Sequence, residues 1–194
     1  MTWLDPSEAQ RYGAGVLQGE MVRFRALEEA DLPELTGWWR DPEWAVLQQA
    51  TVRPRPAEAV AEQFRSWSQS ERGGEVGFSV VDRTSTELVG HVSLFGGQLP
   101  TRAATLAVII GPTYVDQGYG TDAVRVLTGY GFQEMGLNRI EIQVHAFNAR
   151  ARAVYRRVGF VEEGIRRDAT FHNGRFHDEI IMSVLAGEWA EQQR

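Results

Sequence analysis

Hydrophobic positions near the middle of the chain form one unbroken apolar run. Residues 106–110 are all apolar and largely β-branched, which is typical of a buried strand. Gly111 and Pro112 end this strand, and a short loop containing Gly118 and Gly120 then leads into a helical pattern. Glycines allow a close backbone approach, and the free N–H groups of a first helical turn attract anions. The order of strand, glycine loop and helix therefore predicts an anion site, although a plain turn gives the same spacing.

A second pattern with helical period follows at residues 148–159. Asn148 is a preferred N-cap residue, and Gly159 is a preferred C-terminal stop. The apolar positions between them have the i, i+3, i+4, i+7 spacing of one helix face: Ala151, Val154, Tyr155 and Val158. The pattern predicts an amphipathic helix with Tyr155 on its inward face.

The remaining periods predict a strand, two helices, three strands, a helix, a strand, a helix and two strands. Strands are expected near residues 20–27, 77–82, 87–95, 138–145, 160–167 and 176–185, and the additional helices at residues 31–41 and 57–70. Asp31 is a candidate N-cap of the first of these helices. Residues 1–19 have no sustained period and are expected to form a loose leader. The pattern predicts a mixed α/β fold with helices on both faces of a sheet, in one domain over residues 1–194.

Composition narrows the classes of function. The chain has 194 residues and a net charge of -6, which disfavours bulk attraction to nucleic acid and suits a cationic substrate such as an amine. No cysteine occurs, so a thiol nucleophile, a disulfide framework and cysteine metal sites are excluded. The sequence has no signal peptide pattern and no apolar run of membrane length, and the cytoplasm is the expected location. No side-chain spacing predicts a metal site.

The glycine loop and the Asn148 helix together resemble the GCN5-related N-acetyltransferases (GNAT), and most closely the RimJ/RimL type. The motifs are Gln117-Gly-Tyr-Gly-Thr121 and Asn148 followed by Tyr155, Gly159 and Phe160. The resemblance implies a mostly antiparallel sheet of about seven strands flanked by about four helices. It also implies transfer of an acetyl group from acetyl-CoA to a primary amine of a protein N-terminus or small molecule, by direct attack in a ternary complex.

The same resemblance implies the donor site. Val108, Ile109 and Ile110 would pair with the pantetheine arm of coenzyme A like an added strand. The loop would wrap the pyrophosphate, with further cofactor contacts downstream: Gln117, Gly118, Tyr119, Gly120, Thr121, Asn148 and Arg156. One departure is that Val115 stands where the family often carries Arg or Gln.

The catalytic residues implied by the resemblance are Tyr155 and Asn148. A phenol with a pKa near 10 suits protonation of a departing thiolate, whereas a tyrosine on an apolar helix stripe also suits a core. Ala151 stands where relatives often carry serine. The strand at residues 106–110 lacks the Glu that many relatives use as general base. The candidates left open are His91, Glu141, His145, His177, Asp178 and a water relay.

Three further expectations concern the alternative function, the positions of the tryptophans and the partners of the protein. A non-catalytic acyl-CoA-binding domain of the same fold is the alternative function, and a nucleotide-binding α/β protein is disfavoured because its phosphate-loop motifs are absent. Trp38 and Trp67 are expected in the core, whereas Trp39 and Trp44 could line an acceptor pocket. The long apolar last hairpin predicts a homodimer, with no membrane or nucleic acid partner.

Overall fold

The computed structural model describes residues 5–70 and 74–192 of the chain. Within these residues the helices are α1 (Pro6–Gly15), α2 (Leu32–Arg40), α3 (Pro42–Ala45), α4 (Ala57–Trp67), α5 (Tyr119–Gln133), α6 (Ala149–Val158) and α7 (Ala186–Gln192). The strands are β1 (Val22–Arg25), β2 (Val76–Asp82), β3 (Leu88–Phe95), β4 (Ala103–Ile110), β5 (Arg139–His145), β6 (Val161–His172) and β7 (Arg175–Leu185). No described helix is both long and apolar enough to cross a membrane.

All seven strands form one sheet in the order β1-β2-β3-β4-β5-β7-β6. Every neighbouring pair is antiparallel except β4 and β5, which are parallel. The mixed α/β class, the mostly antiparallel sheet and the predicted succession of strands along the chain are therefore confirmed. The described residues form seven helices and not about four, because α1, α3 and α7 were not predicted.

The parallel pair β4 and β5 is joined only at its beginning. Pairing runs from Ala103 opposite Arg139 to Thr105 opposite Glu141, and no register continues beyond these residues. The second halves of the two strands therefore diverge. This opening, which we call the wedge, is where parallel strands leave backbone groups available to a ligand.

Each face of the sheet is covered by its own helices. On one face α5 and α6 pack on a large core that includes Leu106, Val124, Leu127, Ile140 and Tyr155. On the other face α2 and α4 pack on a smaller core that includes Leu35, Val60, Phe64, Val81 and Ile109. The helices lie on both faces of the sheet, as predicted. Both helix layers reach the wedge.

The N-terminal segment differs from the prediction of a loose leader. Residues 6–15 form α1, which Asp5 caps by accepting hydrogen bonds from the backbone N–H groups of Ser7 and Glu8 at 2.8 and 3.0 Å. The helix has no buried residue, so its sequence carries no apolar period from which it could be predicted. Residues 1–4 lie outside the described part of the chain.

Asp31 was predicted to cap α2, but its side chain makes no capping hydrogen bond to that helix. Its carboxylate is buried and accepts two hydrogen bonds from the Arg25 guanidinium, both at 2.7 Å, and one from Ser79 Oγ at 2.7 Å. Burial raises the pKa of Asp31, but the bonds from Arg25, from the Glu28 N–H and from Ser79 outweigh it and hold the pKa below its usual value. Asp31 thus joins β1, β2 and the start of α2.

Candidate active site

A cleft of about 1030 Å³ begins at the wedge and extends across the sheet. Its walls come from β3, β4 and β5, from the N-terminal turns of α5 and α6, and from the helices of the smaller core. This active-site cleft contains most of the residues that the sequence predicts for the site: Val108, Ile109, Ile110, Gly118, Gly120, Thr121, Asn148 and Tyr155.

The free edge of β4 forms the floor of the cleft. On one side β4 pairs with β3, from Gly90 opposite Ile110 to Phe95 opposite Thr105. On the other side, the described residues supply no strand partner beyond Thr105. An extended ligand can therefore hydrogen-bond to this edge as an added strand does.

The glycine loop meets the cleft at the start of α5. Gly118 is the N-cap with φ +100°, a left-handed conformation in which a side chain would be strained. Gly120 leaves space in front of the first helical turn, since an added Cβ would come no closer than 3.5 Å to Ile110 Cγ1. The guanidinium of Arg157 lies beside the loop and donates a hydrogen bond to Thr121 Oγ1 at 3.3 Å. Free N–H groups, open space and a cation suit a phosphate.

Three side chains of the predicted cofactor site do not line the cleft. Gln117 donates through Nε2 to the carbonyl of Thr113 at 2.6 Å, and the Tyr119 hydroxyl donates to Asp82 Oδ2 at 2.6 Å. Arg156 is exposed and pairs with Glu162. A neighbouring arginine, Arg157, lies in the cleft instead, because one residue along a helix turns a side chain by about 100°.

The helical period could have identified the correct cations. Arg150, Ala153 and Arg157 are spaced i, i+3, i+7, so they share one face of α6, and all three line the cleft. Arg150 also lies 3.6 Å from Asp116 of the loop before α5 and stacks over the Trp44 ring. The polar face of α6 thus carries two cations that sequence reasoning did not assign to the site.

Tyr155 lies on the other face of α6, with 6% of its surface exposed. Its ring packs on Phe160, and no hydrogen bond from the described residues contributes to the pKa shift of its hydroxyl. Burial raises the pKa of Tyr155 above its usual value of 10, so the phenol stays protonated at neutral pH. The cleft therefore contains a protonated phenol that can act as a proton donor.

Asn148 is used structurally at both ends of its side-chain amide. Oδ1 accepts from the N–H of Ala151 at 3.1 Å, which is the predicted N-cap bond, and Nδ2 donates to the carbonyl of Leu47 at 3.3 Å. This geometry joins the start of α6 to the segment after α3. It favours a role in holding the cleft over direct participation in the chemistry.

The far wall of the cleft is aromatic. Trp38, Trp39, Trp44 and Trp67 all line it, including the two tryptophans predicted for the core. Trp39 packs edge-on against Trp67 at 5.2 Å between ring centroids, and both contact Phe64 of the smaller core. The indole N–H of Trp39 is buried and has no partner in the described part of the protein. These tryptophans therefore pack on the smaller core and also line the cleft.

Two of the candidate bases line the cleft, His91 and His145. The other three side chains lie outside it: Glu141 pairs with Arg139, Asp178 accepts from the N–H of Asp168, and His177 contacts the carbonyl of His172. Glu179 lines the cleft beside His145 and was not identified from the sequence.

A family model described as acetyltransferase (GNAT) domain matches residues 22–161. The chain belongs to the GNAT family. This GNAT acetyltransferase is 28% identical over 186 residues to the putative ribosomal N-acetyltransferase YdaF of Bacillus subtilis, covering 96% of this chain and 90% of that protein. It is 30% identical over 110 residues to the spermidine N(1)-acetyltransferase of Vibrio cholerae, covering 57% and 64%.

Solved structures match the fold of this acetyltransferase closely. The crystal structure of the Vibrio cholerae spermidine N-acetyltransferase in complex with CoA and spermine superimposes with a TM-score of 0.78 at 25% identity, covering 87% of this chain and 98% of that one. The family match and the described cleft make this chain an enzyme that transfers acetyl groups. No group of three or more metal-binding side chains occurs among residues 5–70 and 74–192.

Proposed function

We propose that this GNAT acetyltransferase is a cytoplasmic, RimJ/RimL-like, single-domain enzyme. In this proposal it transfers the acetyl group of acetyl-CoA to a primary amine by direct attack in a ternary complex. The observation that carries the proposal is the largely buried Tyr155, which lines a cleft whose floor is the unpaired edge of β4. The absence of cysteine supports the cytoplasmic assignment.

The residues of the cleft fit coenzyme A. The edge of β4 at Val108 and Ile110 offers backbone hydrogen bonds to the pantetheine amides, and the N-terminus of α5 offers N–H groups to the pyrophosphate. Arg157, and Arg150 beside Asp116, supply positive charge next to that loop. Bound there, acetyl-CoA supplies the thioester. The chain then orients it and excludes water from it.

Tyr155 has the chemistry that thioester cleavage requires. As the amine nitrogen bonds to the acetyl carbon, the sulfur leaves with an electron pair and needs a proton. A phenol kept protonated by burial holds a proton that it can donate to the sulfur, although the same burial makes it a weaker acid than a free phenol. We therefore assign Tyr155 as the general acid and Asn148 as the residue that holds the start of α6.

The aromatic wall favours an acceptor with one amine attached to an apolar or peptide group. Four indoles form this wall, whereas its carboxylates are few. Glu179 is already paired with Arg166 at 2.8 Å, and Glu75 is the other carboxylate on this side. A polyamine carries several cations and would need more acidic partners. The α-amino group of a protein N-terminus is thus the proposed acceptor, and the unpartnered Trp39 N–H suits a peptide carbonyl.

The test of the proposal is Tyr155→Phe, which removes only the hydroxyl and keeps the ring in its packing. We expect turnover of acetyl-CoA to fall by about 10²–10⁴-fold, the range for general acid–base groups. CoA affinity and thermal stability should change little, because no hydrogen bond from the described residues acts on this hydroxyl. The assay measures thiol release from acetyl-CoA with three kinds of acceptor. These are a hexapeptide with a free α-amino group (the N-terminal hexapeptide), spermidine and free amino acids.

Tyr130→Phe is the matched control, since Tyr130 packs on Phe78 outside the cleft. Wild-type turnover in Tyr155→Phe would contradict the general-acid role. Preference for spermidine over the peptide would contradict the proposed acceptor. CoA binding without thiol release on any acceptor by the wild-type protein would favour the alternative of a non-catalytic acyl-CoA-binding domain.

A further inference from the structure

Three of the four histidines in the chain meet at the end of β5. The rings of His145, His172 and His177 surround Phe147, which stacks on His145 at 5.1 Å between centroids. Only His145 of this group lines the active-site cleft. Its carbonyl accepts from the N–H of Asn148 at 2.8 Å, which ties the histidine directly to the start of the helix that carries Tyr155.

The imidazole of His145 is unusual because it is buried and no hydrogen bond of normal geometry satisfies either ring nitrogen. Its exposure is 6%, and neither Nδ1 nor Nε2 has a hydrogen-bond partner among the described residues. The nearby carbonyl of Gln49 is engaged by His172 Nε2 at 3.1 Å. Buried polar groups in native proteins are almost always paired, so an unpaired ring beside a cleft indicates a ligand that completes it.

Glu179 faces this ring from the neighbouring strand β7. Its Oε1 lies 3.8 Å from His145 Nδ1, and its Oε2 accepts from Arg166 Nη1 at 2.8 Å. The arginine therefore fixes the carboxylate with one oxygen directed at the imidazole. At this distance the carboxylate makes no hydrogen bond to the ring, but its charge stabilises the imidazolium form.

The surroundings keep His145 neutral near pH 7. Burial lowers the pKa of His145, and the neighbouring His172 and His177 add to the lowering, whereas the charge of Glu179 and a backbone contact with Gln49 oppose it. A neutral imidazole with a free nitrogen can accept a proton. The other histidine of the cleft, His91, differs in that its Nε2 is hydrogen-bonded to Ser68 Oγ at 2.7 Å.

We propose that His145, facing the charge of Glu179, accepts the proton of the attacking ammonium, directly or through one water. This inference rests on the proposed function. One proton passes from the ammonium nitrogen to His145, and the nitrogen electron pair forms the N–C bond as the C–S bond breaks. The sulfur takes a proton from Tyr155, and the proton lost by the new amide nitrogen restores the phenol. His145 releases its proton to solvent, which completes the balance.

The decisive experiment compares pH profiles of His145→Gln and the wild-type enzyme on the N-terminal hexapeptide. An α-amino group has a pKa near 7.7–8.0, so it needs a base at pH 7 and none at pH 9. We expect His145→Gln to lose up to about tenfold in turnover at pH 7, where only about a tenth of the amine is neutral, and to approach the wild-type rate at pH 9. CoA binding, measured by calorimetry, should stay unchanged.

His177→Gln is the matched control, because that ring belongs to the same cluster and does not line the cleft. A second variant, Glu179→Gln, removes the negative charge that favours the imidazolium, so the acidic limb of the profile should move to lower pH. A wild-type profile in both variants would overturn the proposal while leaving the acetyltransferase function intact. A wild-type enzyme inactive on every acceptor, with CoA bound, would instead contradict the proposed function.

Discussion

At the scale of single residues, His91 shows how far a buried environment can move a titration. Its ring is buried among aromatic side chains, with Phe64 edge-on at 5.2 Å and Trp67 at 6.5 Å between centroids. Burial lowers the pKa of His91 to about 4, although the charge of Asp31 opposes the shift. The ring is therefore neutral in the folded protein at every pH at which the enzyme would work.

This pKa predicts how stability depends on pH. Below pH 6.5 the unfolded chain binds a proton at this histidine that the folded chain does not bind, so acidification favours unfolding until about pH 4. The difference between 6.5 and about 4, at about 1.4 kcal/mol per pKa unit, amounts to about 3 kcal/mol. We expect His91→Gln to lose most of this slope in urea unfolding measured between pH 7 and pH 5.

His177→Gln is the control, because that ring is only half-buried. A slope identical in His91→Gln and the wild-type protein would contradict the buried, neutral state of His91. The His91→Gln variant should keep a smaller pH dependence of stability with the same sign, because burial also lowers the pKa of His145.

Residue roles could be predicted from the sequence where the partners are local. The N-cap bond of Asn148 joins it to Ala151, three residues away, and Gly159 ends α6 with φ +109°, both as the pattern predicts. Asp31 does not cap α2 because its carboxylate is bound by Arg25 and Ser79. Ser79 comes from another strand, so no local pattern predicts this contact. Glu179 went unidentified for the same reason, since only the pairing of β5 with β7 brings it opposite His145.

At the scale of elements, the start of α5 offers the sharpest test of the donor site. Gly118 has φ +100°, so any side chain there strains the backbone itself. Gly120 lacks this constraint, and an added Cβ would make only an ordinary contact with Ile110. Substitutions at Gly120 therefore change the space in front of the helix N-terminus without disturbing the fold.

We expect Gly120→Ala and Gly120→Val to weaken CoA binding progressively, by about tenfold or more for Val. The added side chain would occupy the position from which the pyrophosphate reaches the free N–H groups. Calorimetric titration with CoA measures the effect. Gly129→Ala, in the same helix and outside the cleft, is the control. Unchanged CoA affinity in Gly120→Val would remove the loop from the donor site.

Elements with a buried face were predictable, and those without one were not. Val60 and Phe64 fix the inward face of α4, and both are fully buried. Helix α1 has no buried residue, and α7 buries only Trp189. Hydrophobic periodicity reports burial and not helicity, so helices held by caps and local bonds leave no such signal.

At the scale of the whole molecule, the wedge is the feature that could not be predicted from the sequence. The alternation of β5 and the apolar run of β4 predict two strands, and both form. That they pair at only three positions depends on the twist of the complete sheet and on the helices on its two faces. The site was therefore predictable as a set of motifs, whereas its depth and its tryptophan wall came only from the fold.

The last hairpin leaves an uncovered surface at the edge of the sheet. Strand β6 is one of the two edge strands, and its apolar side chains Val161, Ile165 and Phe171 are more than half exposed, as is Phe176 of β7. Long exposed edges with apolar side chains are normally covered by another chain. We therefore propose that two copies of the protein pair through β6.

Sedimentation velocity across the micromolar range tests this pairing. We expect a dimer for the wild-type protein and a shift to monomer in Ile165→Lys, because a charge on the edge strand opposes pairing and would have to be buried between two copies. Leu99→Lys is the control, since Leu99 is also exposed and lies in the loop between β3 and β4. Because the cleft of one copy contains every residue that we assign to the chemistry, the monomeric Ile165→Lys variant should keep the wild-type turnover per chain. A wild-type monomer at all concentrations would refute the pairing, and a monomeric variant without activity would instead mean that a second copy completes the site.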